Sequence, residues 1–368
     1  MRIIIILIGL TALFPHGNAQ EKKSNLIVGS YTNSCESMGI YVYEFDSETG
    51  KSKFKNVSES IVNPSYLTIS ADRKVIYSVS ENGGKSKVNT SQYNKKSGKL
   101  NMIESQSSEG ADPCYIINDD NNVLVANYSG GSIAVFKKQK NGILGKAVQV
   151  IQHEGQSANA NRQESAHVHM VQITPDRKYV LANDLGTDRI YVYHYNADSQ
   201  MEILTLKDTV PIKTGSGPRH LTFSPNGKYV YLLQELDGTV TVFAYADGRL
   251  KKVQETSVVQ PSFQGEIGAA DIHISADGQF LYATNRGDAN TISLFAIGDK
   301  GKLTHMNTIS SGGKGPRNFA IDPTGNWVLI AHQYSNDVQV FSRNKVTGEL
   351  VNSGNKIELC SPVCLVFD

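Results

Sequence analysis

From Leu26 to the end, the chain is written in short apolar runs of about five to seven residues, separated by polar or glycine-bearing turns. No stretch carries the 3.6-residue apolar period of an amphipathic helix. The runs recur in a fixed grammar. The segment Pro218–Phe243 has an apolar strand, the turn Ser224-Pro-Asn-Gly, a second apolar strand, the polar turn Glu235-Leu-Asp-Gly, and the alternating strand Thr239-Val-Thr-Val-Phe. Pro316–Phe341 repeats it, as does His167–Tyr193, and weaker copies begin near Asn63, Asp112 and Ala270. Glycine turns at Ser97, Asp247, Lys300 and Thr347 lead to a fourth strand in their units, which are hairpin signals. The ends of the second strands fall at Glu81, Tyr128, Leu185, Glu235, Arg286 and Gln333, 47 to 57 residues apart. Four strands in about 50 residues is the period of a β-propeller blade.

First strands fall near Tyr66, Tyr115, His169, His220, Ile272, Phe319 and Cys364, which predicts seven blades. The last of them has no second strand after it. The early segments Leu26–Thr32 and Gly39–Phe45 supply the missing strands, so the two termini share a blade and close the ring. The predicted fold is all-β: a seven-bladed β-propeller with four antiparallel strands per blade, in one domain over residues 20–368. Closure of this kind protects the sheet edges.

In such a ring, the start of each first strand and the end of each second strand meet at one mouth of the central channel. The first set contains Ser65, His169, Arg219, Ala270 and Arg317. With the second set, this places His169, Arg219, Glu235, Arg286 and Arg317 on one rim. A rim residue taken alone is more often solvated or salt-bridged than catalytic, and Glu235 could simply pair with Arg219 or Arg286. Three arginines beside a Glu and a His are more than a wet surface requires, and guanidinium forks suit carboxylate or phosphate. His167 and His169, two apart in one strand, point to the same side. A third metal ligand is missing beside them, so no metal is expected. The polar segment Ile151–Ser165 enters the His strand at the same rim, where it forms either a lid or a plain surface insertion. No nucleophile elbow, phosphate loop or dinucleotide fingerprint stands in context, so no cofactor is expected.

Charge narrows the partners. The chain has 368 residues, with 36 Lys and Arg against 35 Asp and Glu, a formal net charge of +1. Such balance argues against nucleic-acid binding through a basic face. At the N-terminus, Met1-Arg2, the mostly apolar run Ile3–Phe14, and small residues at Gly17 and Ala19 read as a signal peptide over residues 1–19. Export to a periplasmic or extracellular compartment is therefore expected, without stable membrane insertion, since no later run is long enough to span. Export would permit disulfides among Cys35, Cys114, Cys360 and Cys364. Their spacing fits no zinc pattern, and Cys360 and Cys364 fall in one predicted strand, which disfavours their pairing. Buried or free thiols are expected, with one disulfide left open.

Several runs, taken together, carry a resemblance: Gly29-Ser-Tyr-Thr, Asn63-Pro-Ser-Tyr, Ala126-Asn-Tyr-Ser-Gly-Gly, His167-Val-His, Asn183-Asp-Leu-Gly-Thr-Asp, Gly217-Pro-Arg-His, Asn285-Arg-Gly and Gly315-Pro-Arg-Asn. Over nearly the whole chain the sequence resembles the seven-bladed lactonase family, which includes the propeller type of 6-phosphogluconolactonase and carboxymuconate-lactonizing enzyme. The resemblance implies a metal-free site on one propeller face, with catalytic residues matching His169, Arg219, Glu235 and Arg286. His167, Arg317 and Gln333 are expected to bind substrate. The implied reaction is hydrolysis of a sugar-type lactone, with Glu235 or His169 as base and a small anionic lactone or sugar acid as partner. A lactonizing cycloisomerase and a non-enzymatic binding propeller are the alternatives. Export sits awkwardly with a phosphorylated sugar lactone made inside the cell, which leaves the exact substrate open.

Overall fold

The computed structural model describes residues 22–368; the leader expected over residues 1–19 lies outside them. Seven four-stranded antiparallel sheets are arranged as blades. Their innermost strands are Pro362–Phe367 in blade 1, then Leu67–Ile69, Pro113–Asn118, Val168–Ile173, Pro218–Phe223, Ala269–Ile274 and Pro316–Ile321 in blades 2 to 7. The expected seven-bladed ring is therefore present, with the expected closure. The C-terminal strand Pro362–Phe367 pairs antiparallel with Lys23–Ser30, and two further N-terminal strands complete blade 1.

Burial is greatest in the second strand of each blade and declines outward from it, which explains the hydrophobic pattern. The second strands Val75–Ser80, Asn122–Asn127, Tyr179–Asp184 and Phe280–Asn285 are buried at every position. Both of their faces pack against neighbouring blades, so they read as continuous apolar runs rather than as an alternation. The fourth strands, such as Lys99–Ser107 and Arg249–Ser257, lie largely exposed. The turn after the innermost strand is held by its own side chains. Ser224 Oγ donates to Asn226 Oδ1 at 2.7 Å and accepts the Tyr229 N–H at 3.0 Å, and Ser70, Thr174 and Ser275 do the same in their blades. This local bonding is why Ser/Thr-x-Asp/Asn recurs in the sequence.

One backbone hydrogen bond recurs in all seven blades at the upper rim. The N–H of the residue after the second strand meets the carbonyl two residues before the second position of the inner set: Tyr31 to Ser361, Glu81 to Asn63, Tyr128 to Asp112, Leu185 to His167, Glu235 to Gly217, Arg286 to Gly268 and Gln333 to Gly315, at 2.7–3.1 Å. In two blades that carbonyl belongs to the glycine of a Gly-Pro-Arg run. Gly217 has φ 68° and Gly315 has φ 71°, a left-handed conformation that glycine adopts without strain. A Cβ on Gly217 would also lie 2.8 Å from the Leu236 side chain.

The cysteines are divided. Cys35 and Cys360 form a disulfide across 325 residues of sequence, while Cys114 and Cys364 are buried thiols. Cys360 lies before the last strand, which begins only at Pro362, so it is not in one strand with Cys364. The bridge joins the loop after Lys23–Ser30 to the loop before Pro362–Phe367, and so fastens the closing seam. A cross-link over so long a loop acts chiefly by restricting the unfolded chain. Replacing Cys35 with Ser should lower the unfolding free energy by about 2–4 kcal/mol. Denaturant titration of the oxidised protein and the variant checks this; coincident midpoints would show that the seam does not need the bridge.

Candidate active site

The upper rim holds two rings of side chains. The first comes from the start of each innermost strand: its second position in six blades, and Ser65, just before Leu67–Ile69, in blade 2. In blades 3, 4, 5 and 7 the pairing register slips there, so that Cys114, His169, Arg219 and Arg317 are each the extra residue of a bulge. A bulge re-aims one side chain without ending the strand, and here it turns these residues toward the channel mouth. The second ring is the residue that follows each second strand, fixed by the recurring backbone bond. It includes Tyr31, Glu81, Tyr128, Glu235 and Arg286.

Together they line a cavity of about 510 Å³, whose wall includes Tyr31, Glu81, Cys114, Tyr128, Arg162, His169, Glu235, Arg286, Arg317 and Tyr334. Every blade contributes at least one of these groups. A larger cleft of about 710 Å³ opens at the opposite end of blades 2 and 3, among Lys74, Lys99, Lys138 and Tyr77. It has no comparable meeting of acid, base and cations.

Glu235 is the focus of the cavity. Its side chain is only 6% exposed. Oε2 accepts Arg219 Nε at 2.9 Å and lies 3.2 Å from an Arg286 Nη and 3.8 Å from His169 Nε2. Oε1 accepts Arg162 Nη2 at 2.6 Å. Burial alone would raise the carboxyl's pKa, but the guanidinium groups of Arg286, Arg219 and Arg162 outweigh it and hold it well below the usual carboxylate range. Arg219 is 2% exposed and donates also to the Ala270 carbonyl. Burial, then Arg286, lowers its pKa to about 10. Burial, Arg219 and His220 push the His169 imidazole well below 6.5, so it stands neutral.

The predicted residues separate into three groups. His169, Glu235, Arg286 and Arg317 line the cavity. Arg219 is not on its wall; it grips Glu235 from behind, which is a positioning contact. His167 and Gln333 are also absent from the wall. The His167 ring stacks on Tyr128 with centroids 4.6 Å apart, and its Nε2 meets Glu164 at 3.2 Å. Gln333 keeps its main-chain bond to Gly315, while its Oε1 is buried without a partner among the described residues.

Tyr31, Cys114, Arg162 and Tyr334 are wall residues that the repeat pattern did not place on the rim. Tyr31 donates its hydroxyl to Glu81 at 2.8 Å and lies under the Arg317 guanidinium at 5.5 Å. Tyr31 occupies the same register as Glu81 and Glu235, at the end of the first N-terminal strand. Arg162 lies in the long connection 153–167, outside the repeat. Among the described residues, no three His, Cys, Asp or Glu side chains form a cluster suited to a metal ion.

One layer down the channel, His220 Nδ1 bonds Asp271 at 2.8 Å, and Asp271 meets His273 Nε2 at 2.9 Å and Asn318 Nδ2 at 2.6 Å. Asn318 in turn accepts the Leu365 N–H at 2.7 Å, so one polar network joins blades 5, 6, 7 and 1. His273 is thus structural, as its place in a blade strand suggests. Burial and Arg219 push His220 down to about 4, while His273 is raised by Asp271 against its burial. Burial would raise Asp271, but His273 and His220 hold it well below its usual value.

These shifts set an acid limit. His169 and His220 have folded-state pKa values below their ordinary 6.5, so their contribution to stability is complete above that pH and is lost as pH falls. Glu235 and Asp271, also lowered, lose theirs at still lower pH; His273 alone has the opposite sign. The melting temperature should therefore fall as pH drops from 6.5 toward 4. Calorimetry across that window tests it, and a flat profile would mean that the buried histidines are not held neutral.

Comparison with known proteins agrees with this architecture. The family described as "Lactonase, 7-bladed beta-propeller" matches residues 25–367. A 6-phosphogluconolactonase of Formosa agariphila is 34% identical over 88% of this chain and 94% of its own length. The 6-phosphogluconolactonase of Bacillus subtilis is 32% identical over 92% of this chain and 97% of its own. Among solved structures, the periplasmic gluconolactonase of Pseudomonas aeruginosa superposes with a TM-score of 0.89 at 37% identity, covering 94% of this chain and 99% of that one. A blade ring of this register, a rim built from its bulges, and relatives matching it nearly end to end lead to one assignment: the chain belongs to the seven-bladed β-propeller lactonase family.

Proposed function

We propose that the protein hydrolyses a sugar-type 1,5-lactone to its aldonic acid, in the manner of a 6-phosphogluconolactonase. The observation that carries this reading is the convergence of an ionised, buried carboxylate, a neutral imidazole and guanidinium groups in one cavity, where Arg317 has no carboxylate partner among the described residues. Its volume of about 510 Å³ suits a sugar-sized ligand.

In this reading water enters between Glu235 and His169. Its oxygen bonds to the lactone carbonyl carbon while Glu235 takes its proton. The carbonyl oxygen becomes an oxyanion against Arg286, whose orientation is fixed by donation from its Nε to the Gly268 carbonyl at 2.9 Å. Collapse breaks the ring C–O bond, and the proton held by Glu235 passes to the departing ring oxygen. The product is an open-chain hydroxy acid; its carboxyl group releases the second proton of the water to solvent, and the resulting carboxylate is stabilised by the same arginine. Neutral His169 aligns the water without adding a charge that would compete with the oxyanion. Arg317 has no carboxylate or hydrogen-bond partner among the described residues and rests on the Tyr31 ring. It is the cation free to take a phosphate or carboxylate on the substrate.

We read the protein also as exported. The leader pattern supports this, as does the Cys35–Cys360 disulfide, which needs an oxidising compartment to persist. Its likeness to a periplasmic gluconolactonase supports the same placement. Outside the cytoplasm an unphosphorylated gluconolactone is as natural a substrate as the phosphorylated one.

Acid release from 6-phosphogluconolactone and from gluconolactone, above spontaneous hydrolysis, is the direct test. Glu235→Gln and Arg286→Ala should each lower kcat by about 10²–10³ in folded protein. No acceleration of either lactone by the wild type would put lactonizing cycloisomerase and ligand-binding readings ahead. Arg317→Ala should raise KM for the phosphorylated lactone by about tenfold or more, with kcat little changed. Steady-state kinetics on both lactones separates these effects, and an equal rise in KM for the neutral lactone would remove Arg317 from the anion site.

A further inference from the structure

The resting cavity presents its base in a muted form. Four side chains surround Glu235, and the three arginines among them favour the ionised carboxylate, which is then slow to accept a proton. One of the four differs from the rest. Arg219 and Arg286 are mounted at the edges of blade strands and are each tied to a backbone carbonyl besides Glu235. Their side chains are 2% and 12% exposed. Arg162 is carried by the connection 153–167 and is 42% exposed. Apart from Glu235, the only side-chain partner of its guanidinium among the described residues is the Tyr128 hydroxyl, at 3.3 Å. It is also the only one of the four that occupies Oε1, since the others gather on Oε2.

The connection that carries Arg162 is clamped on both sides of it. At one end His153 is buried, with Nδ1 2.9 Å from Asp184 and Nε2 2.7 Å from the Tyr193 hydroxyl. At the other, the buried Gln163 side chain donates to the Leu185 carbonyl at 2.8 Å and accepts the Asn159 N–H at 3.1 Å. The backbone is thereby fixed, and the guanidinium can swing on its own side chain without disturbing a blade. Where it would swing is set by charge. Arg286 already feels both Arg162 and Arg317 as like charges, so an anion entering this space meets three guanidinium groups.

We infer that Arg162 is an exchangeable counter-ion: it rests on Glu235 Oε1 while the cavity is empty and passes to the anionic substituent of a phosphorylated or carboxylated lactone as the cavity fills, uncovering Oε1 for water. The exchange replaces one charge-assisted hydrogen bond with another, so it costs little when the substrate carries an anion. A neutral lactone offers Arg162 no such partner, and Oε1 stays covered. Arg162 is thus a specificity-determining residue, and it acts on turnover as well as on binding. For the reaction step this rests on the lactonase reading above; the binding step stands without it.

The test uses the full exported chain, with variants Arg162→Gln and Arg162→Lys whose melting temperatures match the wild type. Calorimetric titration with 6-phosphogluconate and with gluconate reads the binding step. Arg162→Gln should weaken the phosphorylated ligand by about tenfold or more. It should leave gluconate within about twofold, and Arg162→Lys should recover part of the loss because it restores a point charge. Equal losses for both ligands, or none, would overturn the inference. Kinetics reads the second step. The wild type should turn over the phosphorylated lactone with the higher kcat, and Arg162→Gln should erase that advantage, partly by raising kcat for the neutral lactone. A fall in kcat by the same factor on both lactones would mean that Arg162 only supports the site's general field. If the wild type hydrolyses neither lactone, the lactonase reading falls, and the titrations alone decide the role of Arg162.

Discussion

A carboxylate removed from water stays ionised only where cations are fixed against it, and at Glu235 that condition involves almost every level of the structure. Its partners come from separate parts of the ring: His169 from blade 4, Arg219 from its own blade 5, Arg286 from blade 6 and Arg162 from the connection between blades 3 and 4. Arg219 reaches Glu235 within one hairpin, and Arg162 lies seven residues before His169, but the three groups from blades 4, 5 and 6 are far apart in sequence. They meet because the blades close into a circle, and the circle closes because Lys23–Ser30 accepts the final strand as its neighbour. Separating the blades would leave a buried anion and several buried cations without their counterparts, which is costly for each of them. The electrostatics of the site and the closure of the fold therefore support one another.

The means of delivery is repeated backbone geometry. The bond from the residue after each second strand to the carbonyl near the start of the innermost strand occurs in every blade, whatever the side chains. It makes a rim of seven equivalent positions, each of which can be filled independently. Blade 4 fills its second-ring position with Leu185, fully buried, whereas blade 5 uses Glu235. The bulges supply a second set of directions at the same height. Function in this architecture is thus a matter of which side chain stands at a pre-formed point, and the scaffold changes little when the side chain does.

Below that layer lies a second polar level, His220–Asp271–His273 with Asn318, which has a different character. Its groups bond mainly to one another and to backbone, tying four blades across the channel. The two layers touch where the His169 and His220 rings meet edge to face, 5.2 Å between centroids. Acid sensitivity is shared between them, since a proton on either imidazole would face Arg219.

Much of this was written in the local pattern. Apolar runs, Ser-Pro-Asn-Gly turns and a spacing of about 50 residues are set by strand and turn chemistry within a few residues, so blade number, ring closure and the rim positions of His169, Glu235, Arg286 and Arg317 could be read directly. What the pattern did not contain depends on contacts between segments far apart. Arg219 holds the right rim position, yet only packing decides that it lies behind Glu235 rather than on the cavity wall. The pattern put His167 on one strand face with His169, but the strand begins only at Val168 and His169 stands in its bulge, so His167 is left stacked on Tyr128 outside the cavity. Cys35 and Cys360 have no local signal, because their proximity is a consequence of the closed seam. Arg162 sits in an insertion with no repeat register, and its contact with Glu235 spans 73 residues and the path of an entire blade. Sequence determined the elements and the places where chemistry can stand, because both follow from short-range geometry; the tertiary structure decided which charges face each other, because that follows from how the ring brings distant strands together.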